Sequence, residues 1–233
     1  PFFGTRRKIA EMLASKPSLL ATQLLLNMLQ RETHDMVFES IFQSLIPSAS
    51  YSSTASLSST IVHEIFKFLG ARPDLNRASA SALRVLGAHC KFSFDMAVYS
   101  KIMLIALRPS NRNAMDLHGT VKSAAVEALG TLLPNLASSF YQGESVTSEE
   151  KEKMIGHVLG LLENLSRPEF DSYPPTFVRI TGVPSALRSI VASSMTPRDI
   201  KDRMVRLLVG LLQDPHHKVK AAAFGALSSA KVT

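Results

Sequence analysis

Tryptophan is absent and cysteine occurs once, at Cys90. A single thiol closes no intramolecular disulfide and excludes any zinc site built on paired cysteines. Burial alone must therefore hold the fold, and a reducing, intracellular compartment is expected, cytoplasmic or nuclear. Charge is also scarce. Asp, Glu, Lys and Arg make up 19% of the 233 residues against 45% hydrophobic ones, which excludes a disordered polyelectrolyte and leaves enough apolar side chains for a sizeable core. Serine, threonine or charge interrupts every apolar stretch, so none reaches the roughly 20 residues of a membrane span. Glycine and proline, 11 and 12 in number, are too few for a low-complexity chain and act as punctuation. No Gly-x-x-x-x-Gly-Lys-Ser/Thr loop, His-Glu-x-x-His, Gly-x-Ser-x-Gly or Gly-x-Gly-x-x-Gly is present. Neither a catalytic residue, a cofactor, a metal nor a small-molecule substrate is expected on that basis. The chain opens at Pro1 without an initiator methionine or a signal-peptide pattern and reads as a piece of a longer protein.

Leucine, alanine and serine dominate what is there, which favours helix over sheet. Residues 75–86, 121–132 and 219–230 follow one template. An aliphatic residue (Leu75, Val121, Val219) stands eight before the leucine of an Ala-Leu pair (Leu83, Leu129, Leu227), and a small residue (Ser79, Ala125, Ala223) stands four before it. A looser copy surrounds Leu187, with Gly182 and Pro184 in it, and a weaker one ends at Phe42. The markers at 42, 83, 129, 187 and 227 lie 41, 46, 58 and 40 residues apart, close to the roughly 40 to 47 of the larger helix-pair repeats.

Each marked helix has an amphipathic partner before it: Ile61, Ile65, Phe68 and Leu69; Met154, Val158, Leu161, Leu162 and Leu165; Ile200, Met204, Leu207, Leu208, Leu211 and Leu212. The runs Leu19 to Leu29 and Val98 to Leu107 are more continuously apolar and are expected to be covered on several sides. Five helix pairs result, over about 17–47, 59–91, 96–138, 147–193 and 196–231, in one array without a domain boundary. Residues 1–15 form the end of a preceding repeat whose first helix lies upstream. Thr147 with Glu150 predicts a capping box, and Thr196 before Pro197 predicts a helix start with Asp199 third. Ser48 to Ser59, Ser138 to Glu149 and Ser166 to Thr176 read as loops, and Gly156 with Gly160 as a close-packing pair.

Asp214-Pro215-His216-His217-Lys218-Val219-Lys220 and Asp116-Leu117-His118-Gly119-Thr120-Val121-Lys122 carry the most specific signal. With these turns the chain resembles a run of HEAT repeats, the antiparallel helix pairs of the armadillo-like superfamily. The resemblance implies an all-α solenoid of about five pairs, with Asp214 and Lys220, and Asp116 and Lys122, as turn-to-helix ion pairs. The first and fourth repeats lack that pair, and the second has Gly70 and Asn76 in its places.

Charge is segregated along the chain. Residues 72–122 carry +5 and 172–233 carry +6, while 144–171 carry −4. The resemblance implies that second helices line a concave side, where Arg77, Arg84, Lys91, Lys122, Arg188, Lys218 and Lys220 form a basic, partner-binding stripe. The chain thus reads as a non-catalytic scaffold segment docking a protein partner that carries an acidic segment. Nucleic acid on the same stripe is the second reading, and a regulatory or spacer array of a large enzyme is the third. His216 and His217 beside Asp214 read as a solvated turn rather than metal ligands. His89 and Cys90, adjacent on a helix, point about 100° apart and read as packed groups.

Overall fold

The computed structural model describes residues 2–47, 55–71, 76–90, 96–107, 119–138, 147–168 and 175–230, which form helices joined by turns, with no strand among them. They group into two compact units, residues 1–93 and 94–233. The first holds α1 (Phe3–Ala14), α2 (Leu19–Arg31), α3 (Asp35–Leu45), α4 (Ala55–Ala71) and α5 (Asn76–His89). The second holds α6 (Met96–Leu107), α7 (Thr120–Ala137), α8 (Ser148–Leu165), α9 (Pro175–Ile180), α10 (Gly182–Ala192), α11 (Arg198–Leu211) and α12 (His217–Ser229).

In the first unit α3 is central because its apolar residues sweep most of its circumference: Val37, Phe38, Ile41, Phe42 and Leu45 are all buried. It packs on α1 and on α5. Phe68 of α4 reaches across to Phe38 and Phe42, with ring centroids 4.9 and 4.8 Å away. Burying a side chain of this kind contributes about 1.5–3 kcal/mol. The Phe3 ring stacks on His34 at 4.5 Å, so α1 and α3 start side by side. The His89 Nε2–H donates to the Leu45 carbonyl at 3.1 Å, so α3 and α5 end side by side. The three helices run in one direction. α2 and α4 are tied by Gln30 Nε2 donating to Glu64 at 3.3 Å.

The second unit repeats this plan. α7 and α10 make the most extensive helix contact, and it is nearly backbone to backbone. A Cβ on Gly182 would stand 2.8 Å from the Ser123 hydroxyl, and one on Gly130 would stand 2.5 Å from the Ala186 Cβ. Contacts that advance together along both helices make them parallel. Gly119 enters α7 at φ 61°, the left-handed region that glycine occupies without strain, and its carbonyl accepts from Ser123 N–H at 2.8 Å. α10 packs on α12, and α6 lies on α7. Arg203 of α11 reaches Glu163 of α8 at 2.5 Å, and the Tyr99 hydroxyl of α6 donates to the Met154 carbonyl of α8 at 3.4 Å.

Most of the stripes predicted on first helices are core: Ile61, Ile65, Phe68, Met154, Val158, Leu161, Leu162, Ile200, Met204, Leu208 and Leu211 are buried, while Leu69, Leu165, Leu207 and Leu212 are half-buried. So are the template positions Leu83, Leu129, Leu187 and Phe42, while Leu227 is half-buried. The Thr147–Glu150 capping box is present.

Four local expectations change. Helix α4 begins at Ala55, inside the stretch read as loop; serine costs a helix only about 0.5 kcal/mol. Pro197 rather than Thr196 is the N-cap of α11, because the Thr196 hydroxyl donates back to the Ile190 carbonyl at 2.8 Å. The continuously apolar α2 and α6, expected to be covered on several sides, bury Leu25, Leu26 and Leu29 and Val98, Ile102 and Ala106 but leave Leu19, Leu20, Leu104 and Leu107 more than half exposed. Gly156 and Gly160 face open space, and the close approach falls at Gly130 and Gly182 instead.

Candidate functional site

Exposed cations on second helices were the expected partner surface, and helix geometry decides which of them can act together. Arg77 and Arg84 lie on α5, two turns apart and so on one side of it, with Arg77 exposed and Arg84 half-buried in contact with neighbours. Lys91 lies outside the described residues. In the second unit Lys122 opens α7, half-buried and also engaged. Arg188 of α10 is exposed, and the register set by Gly130 against Ala186 puts it about 15 Å further along the axis than Lys122. Lys218 and Lys220 are both exposed at the start of α12, but two residues apart they point to different sides. Arg77, Arg188, Lys218 and Lys220 form no ion pair with another described residue.

The inter-helix turns hold a device that the Asp-to-Lys pairing did not anticipate. Asp214 meets Arg179 of α9, Nε to Oδ2 at 2.8 Å with both side chains 2% exposed, while Lys220 stays at the surface. Its second oxygen, Oδ1, accepts from His216 N–H at 2.8 Å, and His216 is the N-cap of α12. The first unit does the same with a glutamate. Glu32 takes Arg6 of α1 at 2.8 Å and accepts from Thr33 and His34 N–H at 2.8 and 2.9 Å, and His34 is the N-cap of α3. Burial alone would raise the Glu32 carboxyl, but the Arg6 guanidinium and the two backbone N–H groups together hold it at about 2. A signal was in the chain: Glu32-Thr33-His34, Asp116-Leu117-His118 and Asp214-Pro215-His216 share the pattern acid-x-His. The middle copy lies outside the described residues. Arg6 and Arg179 belong to the preceding helices, a link that spacing within one turn does not expose.

His89 and Cys90 are both buried, as expected of packed groups. Desolvation lowers the His89 pKa, opposed by the Leu45 carbonyl, and that carbonyl selects the neutral tautomer with its proton on Nε2. Burial pushes the Tyr99 hydroxyl up to about 12. The rings of His216 and His217 stack at 5.1 Å, and the Asp214 carboxylate between turn and α9 is already committed. Among the described residues no three His, Cys, Asp or Glu side chains stand together as metal ligands, and no helix is long and apolar enough to cross a membrane.

Apolar exposure was the feature missed altogether. Ile9 and Met12 of α1 and Leu20 and Leu24 of α2 are 42%, 66%, 65% and 42% exposed, all in the first unit. Phe224 of α12 is 66% exposed in the second. No protein-family model matches the chain, and no curated protein matches it.

Proposed function

We propose that the chain is a helical-repeat scaffold of HEAT type, an α-solenoid segment that docks protein partners inside the cell and performs no chemistry of its own. One observation carries the reading. In each unit one set of helices packs in chain order, α1 on α3 on α5 with one helix between successive members, and α7 on α10 on α12 with α8 and α9 between the first two and α11 between the last two. Repeats that touch mainly their neighbours have this contact pattern, and they leave surface free for partners instead of enclosing a pocket. The acid–arginine pairs support it, since each ties an inter-helix turn to a helix earlier in the chain, Glu32 to α1 and Asp214 to α9. The partners are proteins with acidic segments, drawn in each unit by its own exposed cations, Arg77 in the first and Arg188, Lys218 and Lys220 in the second.

The test compares an acidic peptide with mixed-sequence RNA and DNA at physiological salt, using the unaltered chain and the variant Arg77→Glu, Arg188→Glu, Lys218→Glu, Lys220→Glu. Arg84 and Lys122 are left out because they are half-buried and engaged. The expected result is peptide binding that weakens with salt and disappears in the variant, with helicity unchanged. Nucleic-acid binding tighter than about 10⁻⁶ M, lost in the same variant, would replace the protein partner with a nucleic acid.

A further inference from the structure

Serine, threonine, asparagine and aspartate are the usual helix N-caps, and each accepts a backbone N–H with an oxygen whose lone pairs are present throughout the neutral pH range. Helix α12 uses a nitrogen instead. His216 Nδ1 accepts from Lys218 N–H at 3.3 Å, which requires the neutral tautomer with its proton on Nε2. The neighbouring donors have other acceptors: Val219 and Lys220 N–H take the His216 carbonyl at 3.0 and 3.3 Å, and His216 N–H takes Asp214 Oδ1 at 2.8 Å. Lys218 N–H therefore depends on the imidazole. Imidazole is the side chain whose ordinary titration falls between about pH 5 and 8, and a proton on Nδ1 turns the acceptor into a second donor facing the first.

Charged groups around the turn do not restore the bond. Asp214 already serves Arg179 of α9 and the His216 backbone. Helix α11 closes on the uncharged Leu211, followed by Leu212 and Gln213, and the charge on α10 is Arg188. Helix α12 itself brings Lys218, Lys220 and the ring of His217, stacked on His216 at 5.1 Å. An imidazolium at His216 also stands at the positive end of the α12 dipole. The matching turn of the first unit lacks the device: His34 is the N-cap of α3 without a side-chain cap bond, and its ring stacks on Phe3.

We propose that His216 is a proton-sensitive cap: neutral, it holds the first turn of α12 closed; protonated, it releases Lys218 N–H and loosens that turn. The contribution is complete above the ordinary imidazole range and is lost as the pH falls through it. The turn carries Lys218 and Lys220, which point to different sides of a helix but to one side of an extended segment, so acid brings both cations to one side. That last consequence rests on the docking role for its use; the cap itself does not.

Two-bond ¹H–¹⁵N correlation on the chain should show the His216 proton on Nε2 at about pH 7.5. Between about pH 7.5 and 5.5, amide protection at Lys218, corrected for intrinsic exchange, should fall about fivefold, the typical worth of an N-cap. His216→Asn, whose oxygen does not titrate, should keep its protection at both pH values. His217→Phe, which retains a ring to stack, should behave as the unaltered chain. A proton on Nδ1 at the higher pH, protection at Lys218 that does not change with pH, an equal fall in His216→Asn, or a fall that disappears in His217→Phe would each overturn the proposal. If no acidic peptide binds at either pH while the amide measurements come out as expected, the docking role falls and the cap stands.

Discussion

Gly130→Ala is the substitution for which the structure and helix propensity make opposite predictions. In an exposed helix alanine is better than glycine by about 1 kcal/mol. At Gly130 the added Cβ would stand 2.5 Å from the Ala186 Cβ and 2.8 Å from its carbonyl oxygen, where ordinary contact is 3.4–4 Å. The obstruction includes backbone, which cannot turn aside as a side chain can, so α7 and α10 must part by about 1 Å. A gap of that size forfeits up to about half of each contact's attraction along the seam. That seam includes Ser123 against Gly182 and Gly130 against Ala186, all buried. Because the obstruction includes backbone, the overpacking cost falls in the upper part of its range, about 2–3 kcal/mol, and after the propensity gain of about 1 kcal/mol the net destabilisation should be about 1–2 kcal/mol. For a unit of this size the melting temperature should fall by about 3–10 °C. Gly156→Ala is the control: it faces open space on exposed α8, and alanine there should raise the melting temperature. Both are read by thermal denaturation followed at 222 nm. If Gly130→Ala stabilised the protein as Gly156→Ala does, the α7–α10 contact would not be as close as described and the parallel register drawn from it would fail.

The two acid–arginine pairs make further predictions. The Glu32 carboxyl is held at about 2 against an ordinary 4.5, so its contribution is complete above pH 4.5 and is lost as the pH falls from there toward 2. That lowering is worth about 3 kcal/mol at neutral pH. Urea unfolding between pH 5 and 2 should show the loss, and Glu32→Gln should be less stable at pH 7 yet flatter across that range; an equally steep profile in the variant would refute it. Arg179→Met leaves the Asp214 carboxylate buried opposite an apolar chain and should cost about 3–5 kcal/mol, whereas Arg179→Met with Asp214→Leu should recover part of it. The recovery stays partial because His216 N–H loses its acceptor. Chemical denaturation of both variants checks this, and a double variant no better than the single one would contradict it.

Helix content and most of the core were legible because a period of 3.6 residues acts over short distances. The stripe from Met154 to Leu162 is buried for the reason its spacing suggests. What lay between helices was not legible. Arg179 occupies the template position that is aliphatic in Val121 and Val219, and only Asp214, 35 residues on, explains why an arginine is buried there. Leu19 to Leu29 reads as a helix covered on several sides, yet Leu19, Leu20 and Leu24 are exposed, because apolar content says nothing of how many neighbours arrive. Gly156 and Gly160 had the spacing of a packing motif, yet Gly130 and Gly182, without such a motif, meet the neighbouring helix. The seven cations were chosen by their place on second helices, which does not reveal exposure; apart from Lys91, outside the described residues, the structure separates those that are exposed from Arg84 and Lys122, which are half-buried.

The Arg179–Asp214 pair also bears on how the second unit comes apart. Its two members stand on elements 35 residues apart in the chain, so the attraction belongs to the contact between helix pairs and not to either pair alone. If α11 and α12 frayed by themselves, a buried guanidinium would be left facing the space they vacated. Fraying would admit water to that guanidinium and forfeit both the ion pair and the Asp214 cap on His216 N–H, a cost that falls on the contact with α9. Two buried groups thus convert a stack that could peel away helix by helix into a unit that opens together, and amide exchange in α12 should track exchange in α10.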